Sequence, residues 1–323
     1  MLKVDCRLWI AHIRRFRNRH SAIAVALLST ACLQAAQPAA PSTFDGGRAF
    51  DDLRRLVAIG PRVSGTPGAQ QARDYIRKQL EAAGLIIEDQ AFEAVTPNGP
   101  VTMVNLRAMI PAAPGTASGP GGRLIIAGHY DTKQFRDFTF VGANDGGSSA
   151  AMLIELGRAL KSRANATPIE LLFLDGEEAV VAWQGNDHTY GSRHYVDAAK
   201  KAGTLKDIRA LVLVDMIGDR DLRILRESNS TPALTDIIWS AARRLNRHEF
   251  APESTPIEDD HLEFLAAGVP AVDLIDLDYT TRAGAVAWHT ADDTLENVAA
   301  GSLQAVGDVL LAALPALEVW RAR

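Results

Sequence analysis

Apolar residues follow two patterns that alternate along most of the chain. Continuous apolar runs are typical of strands buried on both faces of a sheet, and they predict strands at 123–127, 169–174, 208–215 and 271–277. Between these runs, apolar positions recur every three or four residues, as on one face of an amphipathic helix. This spacing predicts helices at 44–59, 67–83, 147–160, 190–201, 231–245, 259–267 and 303–319. The alternation predicts an α/β fold, a single domain with a mostly parallel central sheet flanked by helices on both faces.

Two more segments near the start of this domain favour an antiparallel strand pair. They cover 85–92 and 101–110, and Pro97-Asn98-Gly99 between them is typical of a tight turn. A short strand is predicted at 222–225, and a loop rich in Pro and Gly at 111–122. Because no later stretch has the composition of a linker, we expect residues 44–323 to form one domain.

The first 43 residues have a different composition. Residues 1–32 combine an Arg-rich start, an apolar stretch at 22–33 and small residues after it, which is typical of a secretory signal peptide. The apolar stretch is too short to span a bilayer. The segment Ser29–Cys32 also resembles a lipoprotein signal, with Cys32 as the lipid anchor, and 33–43 is an Ala/Pro/Ser linker. The sequence therefore predicts an exported protein, which is periplasmic, an outer-membrane lipoprotein or secreted.

Composition and charge narrow the range of functions. The chain has 323 residues, of which 47% are hydrophobic and 23% charged, as in ordinary globular proteins. Both of its cysteines lie in the leader, so the mature domain has no disulfide. The leader carries six Lys/Arg and one acid, so its removal lowers the formal net charge from −5 to −10. Such an acidic domain does not attract nucleic acid, and bound divalent metal would neutralise part of the charge.

The candidate chemistry is concentrated where the predicted strands end. The strand at 169–174 is followed by Asp175-Gly176 and then by two adjacent acids, Glu177 and Glu178. Adjacent carboxylates repel each other and are tolerated when a cation lies beside them. In open α/β sheets, ligand sites form at the carboxyl ends of the strands. Other acids and histidines lie near the ends of other predicted strands or helices. Together with Glu178 they give five potential metal ligands: His129, Asp145, Glu178, Asp215 and His289. Five nitrogen and oxygen ligands suit two zinc ions that share one carboxylate.

Several motifs in a fixed order identify a family. In sequence they are His129-Tyr-Asp-Thr-Lys133, Phe140-Val-Gly-Ala-Asn-Asp145, Phe173-Leu-Asp-Gly-Glu-Glu-Ala179, Trp183, Tyr190-Gly-Ser-Arg-His194, Asp259-Asp-His261, Gly268-Val-Pro270 and Trp288-His-Thr-Ala-Asp-Asp293. Together they resemble the zinc-dependent M28 peptidase clan over about residues 50–320. Within that clan the sequence is most similar to the glutaminyl-peptide cyclotransferases.

This resemblance implies an activity and a role for each matching residue. The implied reaction converts the N-terminal glutamine of peptides or proteins to pyroglutamate with release of ammonia. The implied zinc ligands are Asp145, Glu178 and His289, with Glu177 as the group that moves the proton. The resemblance also implies that Asp215 and Asp259 hydrogen-bond the reacting groups and that Trp183 and Trp288 form the substrate pocket. Asp131 is expected to orient His129, and His261 to support the site without binding the metal.

The sequence departs from the cyclase pattern in ways that keep a second interpretation open. A histidine expected after Gly268-Val-Pro270 is Asp273 here, the loop 280–287 has no aromatic residue, and Gly128 and Ala150 replace a cysteine pair. The alternative is a two-zinc aminopeptidase. In it His129 and Asp215 complete a second zinc site, Asp145 bridges the ions, and Glu177 activates water.

The ligand set alone does not separate one zinc from two. The tryptophans Trp183 and Trp288, together with Lys133 and the Asp259-Asp-His261 motif, favour the cyclase. A third hypothesis is a binding module without catalysis, and the presence of Glu177 argues against it.

Overall fold

The computed structural model describes residues 44–116 and 122–321. The predicted leader at 1–32, the linker at 33–43 and part of the predicted loop at 111–122 lie outside these residues. The strands are β1 (Ile87–Thr96), β2 (Gly99–Ile110), β3 (Arg123–His129), β4 (Ile169–Leu174), β5 (Ile208–Asp215), β6 (Ile224–Glu227), β7 (Phe250–Thr255) and β8 (Ala271–Ile275). The helices are α1 (Gly46–Ile59), α2 (Pro67–Ala82), α3 (Gly147–Ser162), α4 (Tyr190–Ala202), α5 (Pro232–Arg244), α6 (His261–Ala266) and α7 (Ala300–Leu317).

Six strands form the central sheet in the order β1-β2-β4-β3-β5-β8. The four strands β4, β3, β5 and β8 run parallel to one another, while β1 and β2 form an antiparallel edge. The prediction of a mostly parallel sheet is confirmed. The antiparallel edge is the predicted hairpin, whose turn reaches the left-handed region at Gly99, with a φ of 107°.

Side chains of the parallel strands alternate between two apolar layers, as the period of a strand requires. In β3, Leu124 and Ile126 pack with helices α1, α2, α3, α5 and α7, whereas Ile125 and Ala127 pack with α4 and α6. Both faces of the sheet are therefore covered by helices, as predicted. This double coverage explains why the parallel strands are continuously apolar in sequence.

Strand β7 was not predicted from the sequence. Strand β7 pairs with β6 in a separate two-stranded sheet. Only its first two residues, Phe250 and Ala251, are buried, and Pro252 interrupts the run. A strand at the protein surface with so few apolar positions gives no alternating signal.

Helix α7 is long and apolar enough to cross a membrane by length and composition. More than half of it is buried inside the domain, where it packs against α1 and α5. Its buried side chains belong to the apolar layer that α1, α2, α3 and α5 form on one face of the sheet.

Ion pairs and a hydrogen bond around two buried carboxylates, Glu155 and Asp52, join the three helices α1, α2 and α3. Glu155 of α3 is fully buried and accepts hydrogen bonds from the Arg48 guanidinium of α1, with its Nε at 2.7 Å, and from Arg158 at 3.0 Å. Arg158 also donates to Asp52 of α1, at 2.5 Å. Asp52 in turn accepts from the Tyr75 hydroxyl of α2, at 2.6 Å. The network fixes α1 and α2 against α3, the helix that begins beside the candidate site.

Replacing Glu155 by Ala should lower the free energy of unfolding by about 2 kcal/mol, because the mostly buried Arg158 loses one of its two carboxylate partners, whereas the half-exposed Arg48 can turn to water. The matched control is Asp51→Ala, which breaks an ion pair with Arg54 whose two side chains are both more than half exposed. That change should cost less than about 1 kcal/mol. Urea unfolding in zinc-containing buffer measures both. Equal costs for the two variants would contradict this assignment.

Candidate active site

Three of the predicted metal ligands converge at the carboxyl edge of the parallel sheet. Asp145 lies in the turn before α3, Glu178 follows β4, and His289 lies in the loop before α7. The His289 Nε2 atom is 3.3 Å from Asp145 Oδ2 and 3.3 Å from Glu178 Oε1. Two ligands of a tetrahedral zinc lie roughly 3.4 Å apart when the bonds are about 2.1 Å long. The spacing and the nitrogen and oxygen donors of this trio therefore fit a zinc ion.

A second trio shares Asp145 with the first. The His129 Nε2 atom lies 3.3 Å from Asp145 Oδ1 and 3.1 Å from Asp215 Oδ1. His129 and Asp215 are the last residues of β3 and β5. All five predicted ligands are thus brought together, and Asp145 presents one oxygen to each trio. The geometry fits two metal ions as well as it fits one.

The charge on His129 affects whether the site needs one metal ion or two. Burial lowers the pKa of His129, but the surrounding carboxylates Asp215 and Glu177, with Asp131 and Asp145, together raise it well above its usual range. A protonated His129 supplies positive charge at the position that a second ion would otherwise fill. One metal ion and one imidazolium can therefore balance the same carboxylates.

Asp131 connects the ends of β3 and β4. Its Oδ1 lies 3.4 Å from His129 Nδ1, as expected for a carboxylate that orients a histidine. The same side chain accepts the backbone N–H groups of Glu177 at 3.2 Å and Glu178 at 3.3 Å. One carboxylate thus lies against the ring of His129 and fixes the backbone of the two glutamates.

The turn that carries Asp145 is held from two sides. Asp293 accepts the backbone N–H groups of Asn144 at 2.7 Å and of Asp145 at 3.2 Å. From the other side the fully buried Arg62 donates to the carbonyls of Tyr130, Val141 and Gly142, at 2.6–2.8 Å. These contacts fix Asp145 relative to the end of β3.

Glu177 lies against a cavity of about 430 Å³. Burial raises the pKa of Glu177 well above its usual range, and Glu178, Asp259 and Asp260 raise it further, against the opposing charge of His129. A carboxyl group with a raised pKa can hold a proton near neutral pH and release it again, as general acid–base catalysis requires. The cavity is also lined by the other predicted residues Trp183, Asp215, Asp259 and Trp288.

The two tryptophans are held by contacts that the sequence did not indicate. The Trp183 indole stacks on His188 with ring centres 4.1 Å apart and donates its N–H to Glu258 at 3.1 Å. The Trp288 ring stacks on His289 at 4.2 Å. Phe135 and Phe140 meet the same His289 ring edge-on at 5.7 and 5.8 Å. His289 is thus surrounded by three aromatic rings, of which Phe140 begins one of the family motifs and Phe135 had no signal in the sequence.

Asp187 is another residue that the sequence did not reveal. Its carboxylate accepts the backbone N–H groups of Val180, Val181 and Ala182, at 3.1, 2.8 and 2.9 Å, and the Tyr190 hydroxyl at 2.7 Å. It thereby shapes the loop that carries Trp183 to the cavity wall. An aspartate that binds its own loop has no sequence signal beyond its position a few residues before a helix.

The comparisons with known proteins agree with this geometry. The model of peptidase family M28 matches residues 107–314. The chain belongs to peptidase family M28. A glutaminyl-peptide cyclotransferase-like protein from Bos taurus is 32% identical over 276 residues, which cover 76% of this chain and 69% of that protein.

Solved structures extend the likeness to nearly the whole chain. A glutaminyl cyclase from an Acidobacteriales bacterium is 39% identical and superposes with a TM-score of 0.79, covering 88% of this chain and 99% of that one. The glutaminyl cyclase of Fimbriiglobus ruber is 30% identical with a TM-score of 0.75 over 86% of this chain and 99% of that one. The predicted resemblance to M28 enzymes of the glutaminyl-cyclase type is confirmed, while the roles of individual residues stay predictions.

Replacing Glu178 by Gln should lower the affinity for zinc at least about 100-fold, because even residues that only support metal ligands contribute 10–100-fold. The matched control is Glu258→Gln, an acid of the cavity wall outside both trios. Zinc per chain, measured by native mass spectrometry after dialysis, gives the result. Full zinc occupancy in Glu178→Gln would show that this carboxylate is not a ligand.

Proposed function

We propose that the protein is a zinc-dependent glutaminyl cyclase, which converts the N-terminal glutamine of peptides or proteins to pyroglutamate and releases ammonia. The observation that carries this proposal is the similarity to the Acidobacteriales glutaminyl cyclase over almost the full length of both chains. The cavity supports it, since Glu177 and two tryptophans meet there beside a trio that fits zinc.

The reaction needs no water. The α-amine nitrogen of the substrate attacks its own γ-amide carbon, a new C–N bond closes the five-membered ring, and the bond to the amide nitrogen breaks. One amine proton is lost and one proton is gained by the departing ammonia, so a single carboxylate can serve both transfers. A zinc ion held by Asp145, Glu178 and His289 would supply Lewis acidity toward the γ-carbonyl.

Glu177 is proposed as this carboxylate. It follows β4 by three residues, lies at the cavity, and has a raised pKa from burial and from neighbouring acids. Glu178 points to His289 instead. The two adjacent glutamates thus take different roles because their side chains reach different neighbours.

The remaining cavity residues favour ring closure through proximity. The walls formed by Trp183, Ile257 and Trp288 are apolar and would fold the glutamine side chain back toward its own amine. Asp215 and Asp259 are proposed to accept hydrogen bonds from the amine and amide groups, and Asp259 Oδ2 has no hydrogen-bond partner among the described residues. Such fixed acceptors orient the two reacting groups toward each other.

A two-zinc aminopeptidase remains the second candidate on one specific observation. The His129–Asp145–Asp215 trio has the same ligand spacing as the first trio. In that function Glu177 would activate a water molecule rather than pass a proton from amine to ammonia. The two candidates differ in metal count and in the use of Trp288.

We also propose that the protein is exported, on the strength of the leader at 1–32, and that it acts as the single domain 44–323. A lipid anchor at Cys32 is the alternative to release after ordinary cleavage. Peptide or protein N-termini are the expected partners.

Trp288→Ala should lower turnover of N-terminal glutamine about 100-fold, because small losses of positioning have effects of that size. If the protein is a one-zinc cyclase, the variant His129→Ala should still bind one zinc ion per chain. The control is Trp320→Ala, a partly buried tryptophan that does not line the cavity.

Cyclase kinetics and metal analysis separate the two functions. A fall from two zinc ions to one in His129→Ala, with Trp288→Ala changing only substrate preference, would identify the aminopeptidase. Unchanged cyclisation by Trp288→Ala would remove this residue from the proposed mechanism.

A further inference from the structure

A third group of metal-type donors is buried next to the cavity. It consists of Asp259, His261 and Asp273, called here the His261 cluster. Asp259 precedes α6, His261 is the first residue of α6, and Asp273 lies in the middle of β8. One donor atom of each residue lies within 4.8 Å of the others. All three residues are at most 4% exposed.

The His261 ring is oriented by a carboxylate. Its Nε2 lies 3.1 Å from Glu227 Oε2. Glu227 also accepts the backbone N–H groups of Asn229, Ser230 and Ile257, at 2.8, 2.6 and 3.2 Å. Because Glu227 already accepts these three backbone N–H groups, its carboxylate serves as an acceptor and His261 Nε2 donates to it.

This orientation leaves the other nitrogen of His261 as a lone-pair donor. Nδ1 lies 3.7 Å from Asp273 Oδ2 and has no hydrogen-bond partner among the described residues. A carboxylate that fixes one ring nitrogen while the other faces acidic ligands is the usual arrangement of a metal-binding histidine. The ring is thus prepared for a cation.

The carboxylates of the cluster are also incompletely satisfied. Both oxygens of Asp273 and the Oδ2 of Asp259 lack hydrogen-bond partners in the part of the chain that the structure describes. Asp273 is fully buried, and a buried carboxylate without donors is costly unless a cation or a proton neutralises it. Asp273 thus places an unsatisfied acid directly beside the Nδ1 atom of His261.

We propose that Asp259, His261 and Asp273 bind a divalent metal ion of the transition series, separate from the ion assigned to Asp145, Glu178 and His289. One imidazole nitrogen and two carboxylate oxygens form a donor set that suits zinc. Two carboxylates balance the charge of the ion, while Glu227 holds the His261 ring through Nε2 and also accepts backbone N–H groups.

The site is connected to catalysis through Asp259. This residue lines the cavity, and its free oxygen is the one that the proposed function assigns to the substrate. An ion on the His261 cluster takes that oxygen. Excess zinc should therefore inhibit cyclisation, a consequence that rests on the proposed function, whereas the metal binding itself does not.

The test compares the wild type with Asp273→Asn by equilibrium dialysis against rising free Zn²⁺, with no substrate present. The matched control is Asp276→Asn, which removes another buried carboxylate just beyond the same strand, bound by the backbone N–H groups of Arg223 and Asp278. Wild type and control should bind one zinc more than Asp273→Asn. His261→Gln should also bind one zinc ion fewer than the wild type. Agreement between two variants shows that the loss is not due to misfolding of one of them.

Anomalous diffraction from zinc-soaked crystals should place this ion between His261 Nδ1 and Asp273. Equal zinc counts in all variants, with no anomalous peak there, would overturn the proposal and assign the cluster to a shared proton or a water molecule. In cyclase assays, Asp273→Asn should require at least about 10-fold more zinc for inhibition. Extra zinc binding without cyclase activity would refute the proposed function and leave the metal site intact.

Discussion

Buried carboxylates that repel one another at the carboxyl edge of the parallel sheet are the constraint on which the rest of the site depends. Asp145, Glu177, Glu178, Asp215 and Asp259 all lie there, each less than a tenth exposed. Such a concentration of negative charge is unfavourable unless cations neutralise it or protons remain bound. The fold can neutralise this charge in three ways: by a positive charge on His129, by a bound metal ion, and by a proton held on Glu177, whose pKa is raised. Each of these also serves the proposed chemistry.

The fold itself is a consequence of simple patterns. Strands β3, β4 and β5 are buried on both faces, so their apolar runs are continuous and easily recognised. The meeting of the five candidate ligands was equally predictable, because parallel strands end at one edge and bring residues such as His129 and Asp215 together there. The roles within that set were not predictable, since one metal ion needs only Asp145, Glu178 and His289, and the remaining two side chains suit either a second ion or another role.

Features that depend on local three-dimensional contacts could not be predicted. Asp187 shapes the loop of Trp183 through backbone hydrogen bonds that leave no periodic trace. Phe135 meets His289 across 154 positions of sequence, a contact that only the folded chain creates. His261 was expected to support the site, yet its orientation by Glu227, more than thirty residues away, is what makes Nδ1 available as a donor.

The central claim is that this cavity cyclises N-terminal glutamine rather than hydrolysing peptide bonds. The most direct measurement incubates the purified zinc-loaded protein with a glutaminyl peptide and a leucyl peptide in parallel, and quantifies ammonia, pyroglutamyl product and free amino acids. A cyclase releases one ammonia for each pyroglutamyl peptide and leaves the leucyl peptide intact. Release of leucine without ammonia from the glutaminyl peptide would contradict the account.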